Sequence, residues 1–178
     1  MVAWSPDGRR LATASDDRTA RIWDTASSTE LAVLRGHEDW VVGVAWSPND
    51  RQIATASLDR TARIWDAVKG TELTILHGHE SAVRGVTWSR DGLRLATASA
   101  DRTVRIWDTM SGAELAVLHG HQDVVRGVAW SADGRWLATA SADRTARIWD
   151  ATDATRVWDT TIDLDGLVRT ALVASSVS

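Results

Sequence analysis

The chain has 178 residues, of which 44% are hydrophobic and 25% charged, and its formal net charge is −4; these values are typical of one soluble globular domain. It contains no cysteine, which excludes a disulfide framework and a thiolate zinc site, and its 20 lysines and arginines are spread along the chain instead of forming the basic patch of a nucleic-acid-binding surface. No apolar run approaches the ~20 residues that span a bilayer and no signal peptide is recognisable, so we expect a cytoplasmic protein without nucleic-acid or membrane partners.

The first predicted elements form an incomplete unit. Residues 2–5 repeat the end of a strand that is complete in each later unit, but the Gly-His pair that precedes this strand elsewhere is missing. The Asp7-Gly8 pair that follows is a strong hairpin-turn signal. We therefore expect the chain to start inside a repeating unit.

The second unit is complete and contains four predicted strands. Residues 40–46 alternate in character and predict the first strand, and residues 47–50 supply the proline and asparagine of a turn. Residues 52–57, 61–66 and 72–76 predict the second, third and outer strands, and the alanines of the second strand indicate tight packing between neighbouring units. Segments this short, separated by turn signals, are typical of an all-β array.

Three sets of markers recur at a constant spacing of 42 residues. A Trp-Asp pair ends each third strand, another tryptophan ends each first strand, and a Gly-His pair precedes the first strand of three units. The marker residues are Trp23, Trp65, Trp107 and Trp149; Trp4, Trp46, Trp88 and Trp130; and His37, His79 and His121. A period of this length with these markers is the signature of a propeller blade built from four short strands.

With these markers the chain resembles the WD-repeat family of β-propellers, and the resemblance covers residues 2 to about 150. It implies an all-β fold of four consecutive, four-stranded antiparallel blades, with units at about 1–35, 36–77, 78–119 and 120–160. Because this fold serves many functions, the resemblance predicts architecture better than activity.

The last unit departs from the pattern. A second Arg-Val-Trp-Asp, at residues 156–159, follows the regular Trp-Asp by only nine residues, which fits either a degenerate outer strand or the remnant of a deleted repeat. Residues 161–178 form a C-terminal tail, predicted as a short helix after Asp163 or Asp165, as a strand, or as a disordered segment.

The resemblance implies a buried hydrogen-bond network in each blade, formed by a histidine, a serine or threonine, an aspartate and the third-strand tryptophan. The histidine can donate to the buried aspartate, and the serine can accept from the indole N–H. We therefore expect these residues to be structural. They are His37, Ser57, Asp59 and Trp65; His79, Ser99, Asp101 and Trp107; His121, Ser141, Asp143 and Trp149; and, in the first unit, Ser15, Asp17 and Trp23 without a histidine.

Serine, histidine and aspartate together are also the residue types of a hydrolase triad. The trio recurs in every complete unit, whereas catalytic sites do not usually occur in identical copies, and the sequence has no Gly-x-Ser-x-Gly elbow. We expect no enzymatic activity and no cofactor.

Two His-Gly-His sequences, residues 77–79 and 119–121, resemble metal-chelating pairs, since alternate residues of a strand share one face. One histidine of each pair belongs to the repeat and is expected to bind aspartate, and no acidic cluster recurs nearby. We therefore expect no metal site.

The arginine of each Asp-Arg-Thr turn, such as Arg60, has two interpretations. It could form an anion site, or it could be a surface arginine that pairs with a third-strand aspartate such as Asp66 or with a neighbouring blade. We favour the surface pair, which is usually worth ~0–1 kcal/mol.

The positions at which the units differ are informative about binding. The resemblance places three of them per blade on the upper face around the central channel: two at the entry of the inner strand and one before the turn aspartate. Trp40 has no counterpart in the other units, so the fold does not require it, and it is either an interface anchor or a tryptophan shielded over the channel mouth. The predicted partner-binding residues are Trp40, Val42, Leu58, Arg84, Arg126 and Asp16.

These observations predict a non-catalytic scaffold that binds other proteins or peptides through the upper face. The alternative is a regulatory or ligand-sensing propeller segment of a larger signalling NTPase or kinase. The family favours rings of about seven blades, so four blades would cover little more than half a circle and would expose apolar faces and unpaired edges at both ends. We therefore expect either self-association into an eight-bladed ring or membership of a longer array.

Overall fold

A computed structural model describes residues 1–151 and 160–163. The predicted fold class is confirmed, because these residues form four consecutive four-stranded antiparallel sheets. We call each sheet a blade and number the blades 1 to 4 in chain order. Within these ranges, no helix is long and apolar enough to cross a membrane.

Each blade is an antiparallel meander in which every strand pairs with the next one along the chain. The inner strands are β1 (Val2–Trp4), β5 (Val41–Trp46), β9 (Val83–Trp88) and β13 (Val125–Trp130). The second strands are β2 (Arg10–Ala14), β6 (Gln52–Ser57), β10 (Arg94–Ser99) and β14 (Trp136–Ser141). The third strands are β3 (Thr19–Asp24), β7 (Ala62–Asp66), β11 (Val104–Asp108) and β15 (Thr145–Asp150). The outer strands are β4 (Glu30–Arg35), β8 (Glu72–Leu76), β12 (Glu114–Leu118) and β16 (Thr160–Asp163).

The outer strand of blade 4 extends beyond its predicted position. Residues 161–163, which the sequence assigned to the C-terminal tail, belong to β16 and pair with β15. The free edge of β15 requires a hydrogen-bonding partner, and β16 supplies it after a longer connection than in the other blades. The out-of-phase Arg-Val-Trp-Asp, residues 156–159, and the rest of the predicted tail, residues 164–178, lie outside the described residues.

The apolar core lies between successive blades. Ala54 and Ala56 of β6 pack in one cluster with Val83 and Val86 of the next blade, as the alanines predict. Ile53, whose side chain points to the opposite face of β6, packs in the cluster shared with blade 1. Because side chains alternate along a strand, each blade has one face for the preceding neighbour and one for the following neighbour.

Hydrogen bonds fix the position of blade 2 against blade 1 and of blade 3 against blade 2. The indole N–H of Trp46 donates to the carbonyl of Ala3 at 3.1 Å, and that of Trp88 donates to the carbonyl of Ala45 at 3.1 Å. The tryptophan at the end of each of these inner strands thus fills apolar space and fixes the register between blades.

The Asp-Arg-Thr turns hold arginine in the left-handed region of the backbone, with φ of 72° at Arg60. The side chain of Asp59 stabilises the turn by accepting from the N–H of Thr61 at 2.9 Å and from its hydroxyl at 2.7 Å. A residue with a Cβ in this region is strained by roughly 1–2 kcal/mol, which the surrounding hydrogen bonds offset.

Arg60 forms no ion pair among the described residues, so its predicted pairing with Asp66 is wrong. Asp66 instead accepts from the backbone N–H groups of Val68 and Lys69 at 2.9 Å and 2.8 Å. The carboxylate is therefore occupied by the following turn.

We expect Arg60→Gly to raise the free energy of unfolding by about 0.5–1 kcal/mol, because the relief of left-handed strain exceeds the entropy that glycine adds to the unfolded chain. Urea denaturation measures the change. Arg51→Gly is the matched control at an exposed position outside the left-handed region, and it should lower stability. A loss of stability in Arg60→Gly would contradict the prediction.

Candidate functional site

Four side chains of blade 2 form one continuous chain of hydrogen bonds, which we call the polar column. The indole N–H of Trp65 donates to Thr55 Oγ1 at 2.8 Å, and this hydroxyl lies 2.7 Å from His37 Nε2. His37 Nδ1 lies 2.7 Å from Asp59 Oδ2. The polar column therefore joins the inter-blade core to the turn at the blade's upper end.

Blades 3 and 4 repeat the polar column with equivalent distances of 2.7–2.9 Å. Its members are Trp107, Thr97, His79 and Asp101 in blade 3, and Trp149, Thr139, His121 and Asp143 in blade 4.

The threonine of the column is the residue that the sequence reasoning missed. The predicted acceptor for the Trp65 indole was Ser57, and this assignment is wrong. Trp65 pairs across the ladder with Ile53, so its indole reaches Thr55, the next residue on that face of β6. The recurrence of a threonine at this position, one period apart in each blade, was the available sequence signal.

Ser57 has a different role, at the end of β6. Its hydroxyl donates to the carbonyl of Asp39 at 3.0 Å and accepts from the N–H of Asp59 at 3.1 Å. Ser99 and Ser141 make the same two contacts in their blades. These serines hold the turn that carries the aspartate.

The donors and acceptors of the column assign the histidine tautomer. An indole N–H is only a donor, so Thr55 Oγ1 accepts from Trp65 and has its own proton left for His37 Nε2. Nε2 is then the acceptor, and Nδ1 carries the proton that it donates to Asp59. With a neutral His37 every polar atom of the column is satisfied, which is the condition for burying such a network at low cost.

The carboxylate of Asp59 is held by several donors. Burial alone raises its pKa, but hydrogen bonds from His37, from Thr61 and from the N–H of Glu38 outweigh burial and hold the pKa well below its usual value. Burial and hydrogen bonds are balanced in the same way at Asp101 and Asp143, whose pKa values are also well below normal.

Blade 1 lacks the histidine and uses other partners. Trp23 still donates to Thr13 at 2.9 Å. Asp17 accepts from the hydroxyl of Thr19 at 2.6 Å and from Arg21 Nη2 at 2.9 Å, and Ser15 accepts from the N–H of Asp17 at 3.2 Å. In blade 1 an exposed ion pair between Arg21 and Asp17 thus replaces the buried histidine.

The order Thr–His–Asp in the column is that of a hydrolase triad. A nucleophile must reach a substrate, however, and Thr55 is fully buried with its oxygen already bonded to Trp65. His37 is also buried, with both ring nitrogens engaged. The geometry suits a structural network that locks the blade.

The His-Gly-His pairs do not present two free nitrogen ligands. His79 is buried and uses both ring nitrogens within its polar column, whereas His77 is exposed. In the part of the chain that the structure describes, no group of three or more histidine, aspartate or glutamate residues could hold a metal ion.

Three of the predicted partner-binding residues occupy β-bulges of the inner strands. Val42 is left out of the pairing between β5 and β6, because Val41 pairs with Ser57 and Gly43 pairs with Ala56. Arg84 and Arg126 are left out at the equivalent points of β9 and β13. A bulge re-aims the extra side chain away from the regular ladder, so these residues are released from packing between blades.

The glycine after the bulge permits this geometry. A Cβ on Gly43 would lie 2.9 Å from the Cβ of Ala56, closer than two such atoms approach. The backbone can therefore come close to the second strand only where the side chain is a hydrogen atom.

The bulge residues share a cavity of about 310 Å³, lined by Val42, Arg84, Val124 and Arg126. Both arginines are exposed, and in the described residues neither forms an ion pair or a side-chain hydrogen bond. The cavity therefore combines an apolar wall with two positive charges that pair with none of the described residues. We call the cavity that these four residues line the bulge cavity.

The other predicted partner-binding residues lie outside the lining of the bulge cavity. Trp40 is 49% exposed and directly precedes the inner strand of blade 2, and its carbonyl accepts from the N–H of Leu58 at 3.0 Å. Asp16 is exposed on the corresponding turn of blade 1. Trp40 thus presents a large apolar surface two residues before the bulge at Val42, and the structure does not shield it fully.

We expect Thr97→Val to lower the free energy of unfolding by about 2–4 kcal/mol, because the indole of Trp107 and Nε2 of His79 both lose their partner while the side-chain volume is unchanged. Thermal or urea denaturation measures the loss. Thr71→Val, at an exposed turn, is the matched control and should change stability by less than about 0.5 kcal/mol. Equal effects of the two substitutions would refute the polar column as a stabilising unit.

Acid should destabilise the fold through Asp59, Asp101 and Asp143. Their pKa values are lower in the folded than in the unfolded state, so their stabilisation is complete above the unfolded pKa of about 3.9 and is lost as pH falls toward the folded values. Unfolding free energies measured from pH 7 to pH 2 should fall most steeply below about pH 5. Asp101→Asn should show a shallower slope than the wild type, and identical slopes would contradict this assignment.

A family model described as WD domain, G-beta repeat matches the chain four times, at residues 1–24, 28–66, 70–108 and 112–150. Each match ends at the Trp-Asp pair of a third strand. The matches cover most of the chain, and each match after the first spans the outer strand of one blade and the first three strands of the next.

Curated relatives match single repeats. WD repeat-containing protein 86 of Homo sapiens is 52% identical over 40 residues, 22% of this chain and 11% of the relative. Ribosome assembly protein 4 of Chaetomium thermophilum is 63% identical over 35 residues, 20% of this chain and 7% of the relative. The probable serine/threonine-protein kinase PkwA of Thermomonospora curvata is 52% identical over 40 residues, 22% of this chain and 5% of the relative.

The matched segments are thus a small part of each relative, and the family model identifies the chain. The repeats, the meander of each blade and the polar columns agree with that match. The chain belongs to the WD-repeat family, and its four sheets are WD-repeat blades.

Proposed function

We propose that this protein is a non-catalytic scaffold that binds other proteins or peptides through the upper face of its blades. WD repeats generally mediate binding to other proteins, and the bulge cavity is the observation that carries the proposal here. Its two arginines form no ion pair with any of the described residues, and its valines offer apolar contact. Self-association belongs to the same proposal, and the cytoplasm is the proposed location.

The chemistry of the surface favours one class of partner. Charged groups left without a partner in a folded protein favour binding of opposite charge, and an apolar centre with a polar rim is the usual anatomy of a protein interface. Arg84 and Arg126 therefore suit an acidic segment, and Val42 and Trp40 suit its apolar side chains. We propose a short peptide segment that combines acidic and apolar residues.

The absence of catalysis is part of the proposal. The polar columns are hydroxyl–histidine–carboxylate chains, but their threonines are buried and bonded to tryptophan. A buried hydroxyl of this kind has no access to a substrate. Its repetition in three blades fits a structural requirement of the fold.

The second candidate is a regulatory or ligand-sensing segment of a larger signalling NTPase or kinase. The match of one repeat to a probable serine/threonine-protein kinase favours it, although that match concerns the repeat and not a kinase domain. The reading frame upstream of Met1 would decide this question. A phosphate-binding Gly-rich loop encoded in frame would support the regulatory segment.

We expect Trp40→Ala to weaken binding of an acidic and apolar peptide by about 30-fold, or ~2 kcal/mol, without changing the melting temperature. The probe is a peptide selected on the wild-type chain from a displayed random library, and fluorescence anisotropy measures its Kd. Arg84→Glu should slow association and reduce its dependence on salt.

Arg35→Glu, on the exposed end of an outer strand, is the matched control and should leave binding unchanged. Selection of peptides without acidic residues, or unchanged affinity in both Trp40→Ala and Arg84→Glu, would place the partner elsewhere on the molecule.

A further inference from the structure

In the part of the chain that the structure describes, the first and last blades each have one face that no other blade covers. In blade 1 this leading face contains Val2, Trp4, Leu11 and Trp23. In blade 4 the trailing face contains Ala138, Ala140, Ala146 and Ile148. Each residue stands at a position of the 42-residue repeat that is buried where another blade follows or precedes it.

The leading face is exposed at positions that are buried in the next blade. Trp4 is 62% exposed, whereas its equivalent Trp46 is 7% exposed. Val2 is 59% exposed, whereas its equivalent Val44 is 1% exposed. The side chains are those of an interior, and no other blade of the described residues covers them.

The trailing face shows the complementary pattern. Ala138 and Ala140 are exposed, whereas Ala96 and Ala98, their equivalents in blade 3, are 0% exposed because blade 4 covers them. Alanine at these positions leaves space for the large side chains of a following blade. The trailing face thus has the shape that receives a leading face.

The chain itself shows how the two faces fit. The leading residues Val44 and Trp46 of blade 2 pack in one cluster with the trailing residues Ala12 and Ala20 of blade 1. The interface includes the hydrogen bond from Trp46 to the carbonyl of Ala3. Trp4 is the equivalent of Trp46 in blade 1, and its indole N–H has no hydrogen bond among the described residues. In another copy the equivalent acceptor would be the carbonyl of Ala129.

Trp136 adds to the apolar area of the trailing face. It occupies the position of Arg10, which stacks 4.5 Å from the ring of Trp46 in the following blade. By this equivalence Trp136 faces the Trp4 ring of a second copy. Two tryptophans then meet where the internal interface has an arginine and a tryptophan, and an aromatic pair of this kind is favourable beyond its buried area.

We propose that two copies of this chain join head to tail, the trailing face of each covering the leading face of the other, and close one ring of eight blades. Each of the two interfaces is heterologous, because a trailing face contacts a leading face. When both interfaces form, neither copy has an exposed end face. Eight blades lie within the four to eight that propellers contain. The proposal rests on the proposed interaction role but uses other residues than the bulge cavity.

The first test is the mass of the full chain by analytical ultracentrifugation. We expect twice the 19.4 kDa of one chain at micromolar concentration. Ala140→Arg on the trailing face and Trp4→Glu on the leading face should each give a single-chain mass, because each breaks both interfaces of the pair. Met110→Arg, at an 86% exposed residue of an outer turn, is the matched control and should retain the double mass.

Mixing the two variants tests the head-to-tail geometry. A pair of one Ala140→Arg chain and one Trp4→Glu chain contains one interface with both substitutions and one interface with neither. The mixture should therefore recover the double mass, with weaker affinity than the wild type, although each variant alone does not associate. If instead two copies met through the same face, the variant with its substitution on the other face would still dimerise alone. This result would overturn the proposal.

The remaining outcomes also decide the proposal. A monomeric wild type overturns the proposal. In that case, a lower melting temperature of Ala140→Arg would indicate that the chain's own residues after Asp163 cover the trailing face. An unchanged melting temperature would indicate that the trailing face is exposed to solvent. A ladder of species larger than the pair would overturn ring closure. Loss of peptide binding in Trp40→Ala with a retained double mass separates the two proposals, since Trp40 belongs to neither end face.

Discussion

A four-stranded blade of this chain has two apolar faces, and it can cover neither of them with its own residues. The alternation of side chains along each strand sends one set of residues toward the preceding blade and the other toward the following blade. Small and large residues are divided between the faces, with Ala54 and Ala56 on one side of β6 and Ile53 on the other. Stability is therefore a property of neighbouring blades, as in other repeat proteins in which each unit contacts only its neighbours.

The polar columns solve a second problem within this arrangement. The third-strand tryptophan brings an N–H group into the inter-blade core, where an unpaired donor is costly. Thr55 accepts a hydrogen bond from that N–H and donates its own hydroxyl proton to His37. His37 in turn donates to Asp59, the last member of the column. A network with all members satisfied fixes the rotamers of its side chains, so the same column that removes the cost also holds the upper turns in place.

The bulges of the inner strands are places where neither requirement applies. The bulge residue of β5, β9 and β13 is outside the ladder and outside the polar column, and its identity changes from Val42 to Arg84 and Arg126 while the strand pairing around it stays the same. A repeat protein can in this way keep one architecture and alter one surface. A glycine follows the bulge in blades 2, 3 and 4, and in blade 2 a Cβ on Gly43 would lie too close to Ala56.

The sequence by itself determined the fold class, the number of blades and the identity of most column residues. The strand and turn patterns repeat every 42 residues, and such local patterns can be recognised without knowledge of contacts between distant residues. Only the tertiary structure decided that Thr55, and not Ser57, receives the indole of Trp65, since the register between β6 and β7 sets which hydroxyl lies within reach. It also decided the bulges and the continuation of β16 to Asp163. Burial decided which repeat positions are interior: identical residues are buried or exposed according to whether another blade stands beside them, and that depends on contacts between segments far apart in the chain.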